Sequence, residues 1–67
     1  MEKKQWGRKI RAFRKLKGYT QVQLARETGI SLTLLGEIER DSRQPSEDLL
    51  EKISAALSTS IDEMRNI

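Results

Sequence analysis

The chain has 67 residues, no cysteine, no histidine and a formal net charge of +3. That length leaves room for one small domain, residues 1–67, in which folding buries only about 60% of the unfolded surface. Disulfides and thiolate metal sites are excluded, zinc lacks its usual ligands, and no apolar run approaches the roughly 20 residues that a bilayer span requires.

Trp6, Ile10 and Phe13 recur at i, i+4 and i+7, which predicts a first helix with that stripe turned inward. On this spacing Trp6 is read as core and not as a base-stacking ring. Arg8, Arg11 and Lys15 fall on another stripe, which faces water or a partner. Gly18 ends the helix after Lys17, in the usual position for a left-handed terminator. Residues 1–20 carry eight Lys/Arg and one acid, residues 21–45 three and four, and residues 46–67 two and five. The molecule is therefore positive at one end and negative at the other. Such a field suits a polyanionic partner, although a solvated basic helix has the same composition.

Thr20 and Gln23 form a T-x-x-Q capping box for a second helix, with Tyr19 in the staple position before it. Leu24 and Ala25 belong to this helix, and Gly29 stops it. Ser31 caps a third helix from about Leu32 to Arg40, with Leu35 and Ile38 inward. Residues 41–45 are a loop, because Pro45 disfavours a helical residue before it. Ser46 caps a fourth helix, lined inside by Leu50, Ile53 and Leu57. Glu47 and Asp48 sit where the helix dipole favours negative charge, so with Glu51 they are not read as a catalytic acid/base group. Ser60 and Glu63 form an S-x-x-E box for a fifth helix with Ile61 and Met64 inward. The expected fold is all-α, five helices and no strand, and no group of residues suggests an enzyme or a cofactor.

Function concentrates in residues 21–40. A helix-turn-helix needs a small residue where its helices cross, a residue of positive φ in the turn, a following hydrophobe, and an apolar face on the second helix. Ala25, Gly29, Ile30, and Leu35 with Ile38 meet these needs, with Ala25, Gly29 and Leu35 at relative positions 0, 4 and 10. An ordinary helical hairpin does not require all three.

The segments GYTQVQLARETGIS, IER, R-x-PS and LLEKISAALSTSIDEM resemble the Cro and phage-repressor (XRE-type) helix-turn-helix family. The likeness runs from Trp6 to Met64. It implies a compact five-helix lambda-repressor-like domain with the helix-turn-helix at helices 2 and 3. It further implies a sequence-specific transcriptional regulator, a repressor, that binds a short inverted repeat of double-stranded DNA as a homodimer. The resemblance assigns Gln21 to a phosphate, with Thr20 adding its hydroxyl and Arg43 reaching the backbone or the minor groove. Arg11, from the basic first helix, is a further expected phosphate contact. Ser31, Leu32, Thr33, Gly36 and Glu37 match positions that face base edges. Leu32 and the Thr33 methyl suit thymine methyl groups, Glu37 suits a cytosine amino group, and Gly36 suits close approach of the backbone. Arg14 and Glu39 match a pair that joins the first helix to the third as a structural ion pair.

The chain departs from the family at Gly36, where many relatives have serine, and at Asp41, which replaces a glycine and brings negative charge toward DNA. Ser54 and Thr59 replace apolar residues. Ile61, Met64 and Ile67 are read either as a dimer patch or as closure of the core. The expected location is the cytoplasm of a bacterium or phage host, at the nucleoid. A second reading keeps the fold but makes it a protein-interaction module, because residues 32–37 are poor in base-reading side chains.

Overall fold

The computed structural model describes residues 6–66. Five helices follow in order: α1 (Trp6–Leu16), α2 (Gln21–Thr28), α3 (Leu32–Glu39), α4 (Glu47–Ala56) and α5 (Ile61–Arg65). There is no strand among the described residues. Helix α1 packs on α3 and α5, α2 packs on α3 and α4, and α4 meets α5. Their inward faces share one core, in which Ile10, Leu24, Leu35, Ile38, Ile53, Leu57 and Met64 are fully buried. Removing a Leu, Ile or Met side chain from such a core typically costs about 2–5 kcal/mol.

The four later helices begin as their sequences dictate. Thr20, Ser31, Ser46 and Ser60 each turn a side-chain oxygen back to the third amide of the helix that follows. The boxes at Thr20–Gln23 and Ser60–Glu63 are reciprocal, with the third residue accepting from the cap's own N–H. Each such cap contributes about 1 kcal/mol. Gly29 has φ 77°, so the bend between α2 and α3 uses a backbone conformation that a side chain would strain. Helix α3 stops at Glu39, one residue short of the expected end, and Arg40 serves as its C-cap.

Two contacts fix α3 against α1. Gly7 is buried where α1 meets the end of α3, and a Cβ on it would come within 2.3 Å of the Ile38 carbonyl oxygen. The Gly7 N–H donates to the Asp41 carboxylate at 3.1 Å. At the other end of α1, Arg14 and Glu39 form a buried two-pronged ion pair, Nε to Oε2 at 2.7 Å and Nη2 to Oε1 at 3.1 Å. Arg14 Nη1 also donates to the Tyr19 carbonyl oxygen at 3.0 Å, which ties the α1–α2 turn to the pair.

At the C-terminal end the structure selects between the two readings of Ile61, Met64 and Ile67. Met64 has no exposed surface and closes the core. It is therefore not available to a dimer patch on this surface. Ile61 is half-buried against the same core. Ile67 lies outside the described residues. Ser54 is buried, but its hydroxyl donates to the Glu51 carbonyl oxygen, so the substitution leaves no unsatisfied donor.

Candidate nucleic-acid interface

Leu35 and Ile38 hold one face of α3 in the core and leave the opposite face to solvent, while the Gln21–Glu39 bond sets the first residue of α2 beside the end of α3. Eight residues of α helix span about 12 Å, which is close to the width of a DNA major groove. Ser31, Leu32 and Thr33 are exposed at the start of α3, and Leu32, at 48% exposure, is among the most exposed large hydrophobic residues. The Ser31 hydroxyl is occupied as acceptor from the Leu34 amide.

At the start of α2, the Thr20 oxygen accepts from the Gln23 amide, and the amides of the first helical turn point outward along the dipole. Gln21 is half-buried, and one of its amide hydrogens is already engaged. Its Nε2 donates to Glu39 Oε1 at 2.9 Å. The carboxamide is thereby oriented by the same carboxylate that holds Arg14, with its second N–H left over.

Three further site residues stand differently from expectation. Gly36 does not offer bare backbone to a partner. It is buried, and the Arg40 guanidinium lies across it, with Nη1 3.1 Å from where a Cβ would stand. A side chain on a helix leans back over the preceding turn, so Arg40 naturally covers residue 36. Glu37 is paired with Arg43, Oε1 to Nε at 3.1 Å, and the Ser42 hydroxyl holds the Glu37 carbonyl oxygen. Asp41 has a positive φ of 61°, a conformation that suits glycine, but its carboxylate is turned to the Gly7 amide. The negative charge expected near a ligand is partly absorbed at the start of α1.

On α1, Arg8, Arg11 and Lys15 are exposed. Lys9 is used within the fold: its ammonium lies 5.5 Å from the Trp6 ring centre and donates to the Arg65 carbonyl oxygen. Lys3 and Lys4 lie outside the described residues. Sequence reasoning missed Gly7 and Arg40. A glycine inside a helix costs helix propensity and so signals a packing reason, and Arg40 follows Gly36 at the i, i+4 spacing that lays a side chain over the preceding turn.

The helix-turn-helix family model matches residues 10–64. The chain belongs to the helix-turn-helix family. Among its helix-turn-helix relatives is the HTH-type transcriptional regulator YazB of Bacillus subtilis (strain 168), 53% identical over 64 residues, covering 96% of this chain and 93% of YazB. The immunity repressor of Bacillus phage phi105 is 42% identical over 55 residues, covering 82% of this chain but 38% of the repressor. The biofilm master regulator SinR, solved in complex with DNA, superposes with a TM-score of 0.82 at 38% identity, covering 88% of this chain and 95% of that one. The chain thus spans nearly all of YazB and well under half of the phage repressor.

Proposed function

We propose that this chain is a DNA-binding transcription regulator that acts as a repressor on a short inverted-repeat operator. The observation that carries this reading is the exposed surface of α3 from Ser31 to Thr33, opposite the face that Leu35 and Ile38 hold in the core, with the start of α2 tied to the end of α3 by the Gln21–Glu39 bond. The SinR fold, solved with DNA and similar to this chain along nearly its full length, supports it. In this reading Thr20, Gln21, Arg43 and Arg11 hold phosphates. Ser31, Leu32, Thr33 and Glu37 line the groove, with Glu37 exchanging its Arg43 partner for a base amino group. One eight-residue helix meets only a few base pairs, so two copies over a palindrome extend the site. The pairing surface includes Ile61. The protein works in the cytoplasm, at the nucleoid.

Selection of sites from a random duplex pool, followed by anisotropy titration over a salt series, tests the reading. The expected result is an enriched palindrome whose log affinity falls linearly with log salt, with a slope near −0.9 per phosphate contacted. No enriched site and no salt slope would remove the proposal. Binding to a protein partner that persists in high salt, without duplex binding, would favour the interaction-module reading instead.

A further inference from the structure

We propose that Arg40 reads a guanine in the major groove, and that Gly36 is the seat from which it does so. The inference rests on the DNA-reading function above and adds a specificity-determining residue to it.

Thr33, Gly36, Glu37 and Arg40 lie at i, i+3, i+4 and i+7, one stripe along α3 and its C-cap. Thr33 is exposed, Glu37 is half-buried, and between them the helix has no side chain at Gly36. The Arg40 guanidinium fills that gap. Arg40 itself is exposed, and none of the ion pairs among the described residues includes it. The neighbouring cation, Arg43, differs in this respect, because it already faces Glu37. The structure therefore sets an uncompensated planar fork on the same stripe as Thr33. Residues 27–37 contain no Arg, Lys, Asn or Gln, so the third helix lacks a bidentate donor of its own. Arg40 supplies one from the helix end.

The chemistry of this fork selects its ligand. Two parallel N–H donors match O6 and N7 of guanine, the major-groove edge that presents two acceptors side by side. Adenine offers N7 beside an amino donor, and so repels one prong. A serine at position 36, or any Cβ, would press on Nη1 and move the fork along the helix. Gly36 and the arginine four residues later therefore act as one unit.

The test uses the full chain and duplexes from a random pool. The wild-type protein should enrich a guanine at a fixed place in each half-site. Arg40→Ala should lose about ten-fold in preference for that guanine while keeping the other enriched positions. Arg40→Lys keeps the charge without the planar fork and should retain only part of the preference. Gly36→Ala should weaken the same preference with a thermal melt no lower than wild type, which separates reading from folding. Equal loss of affinity for all duplexes in Arg40→Ala, with a shallower salt slope, would assign Arg40 to phosphate and overturn the inference. So would an unchanged guanine preference in that variant. If the wild-type protein enriches no site, the DNA-reading function itself fails and this inference with it. If the wild-type protein enriches a site that Arg40→Ala reads equally well, only the inference fails.

Discussion

Gln21 and Glu39 are joined by a 2.9 Å hydrogen bond that crosses from the first residue of α2 to the last of α3. The same Glu39 oxygen accepts from Arg14. A side chain proposed to hold phosphate is therefore aimed by a buried ion pair. Gln21→Ala removes the donor and leaves the Arg14–Glu39 pair in place. It should weaken binding to the selected duplex and to a scrambled one by the same factor. Anisotropy titrations at one salt concentration measure both, and a loss confined to the selected duplex would contradict the phosphate role.

Arg14→Met leaves Glu39 charged in the core with Gln21 as its remaining side-chain partner. Breaking one side of a buried pair costs about 3–5 kcal/mol, whereas replacing both sides by apolar residues is often near neutral. Arg14→Met with Glu39→Leu should therefore recover most of the stability lost by Arg14→Met alone. Urea unfolding of the two variants checks this. Equal stability of the single and double variants would show that the isolated carboxylate carries no penalty.

The same substitution should have opposite signs at two glycines. Gly7→Ala drives a Cβ into the backbone carbonyls of Ile38 and Glu39, where nothing can swing aside. Overpacking of this kind costs about 1–3 kcal/mol. Gly36→Ala meets only the flexible end of Arg40 and removes a poor helix former, which should stabilise by about 1 kcal/mol. Melting temperatures of the two variants should fall on either side of the wild type.

Leu32 and Thr33 have no structural duty that their exposed side chains perform for the core. Leu32→Ala and Thr33→Ala should leave thermal stability within about 0.5 kcal/mol of wild type. Each should relax sequence choice at one base pair of the half-site. Repeating the selection with each variant shows this. A general loss across the whole site would place these residues outside direct reading.

The Glu63 carboxyl is held below its ordinary value of 4.5, first by the Ser60 backbone N–H and then by the Thr59 hydroxyl. A carboxylate with a lowered folded value stabilises fully above the unfolded value and loses that contribution as pH falls through the folded one. The cap of α5 should therefore be intact at neutral pH and open in acid below 4.5. An NMR titration of the Ser60 amide follows it. A midpoint above 4.5 would reverse the sign.

Much of the architecture was legible because the signals were local. Caps, glycine stops and inward stripes depend on residues three or four apart, and Thr20, Ser31, Ser46, Ser60 and Gly29 act where their spacing predicts. The Arg14–Glu39 pair was legible through the family resemblance, but the other pairings around the candidate interface were not. The bonds from Gln21 to Glu39, and from Gly7 to Asp41, span 18 and 34 residues, and no local period encodes them. Gly36 by itself reads as bare backbone, and only the arginine one turn later that leans over it changes its surroundings. Met64 lay in a patch that served either surface or core, and burial chooses the core.

Helix α3 is clamped to α1 by two contacts at its C-terminal end: the Gly7–Asp41 seam just beyond it, and the Arg14–Glu39 lock beside the turn that leads into α2. Re-aiming it would mean opening both at once, in a core with little slack. A protein made this way is a stiff template. When it meets an imperfect target, the duplex has to twist or bend to fit, and cheaply deformed sequences gain an advantage even at base pairs that no side chain touches.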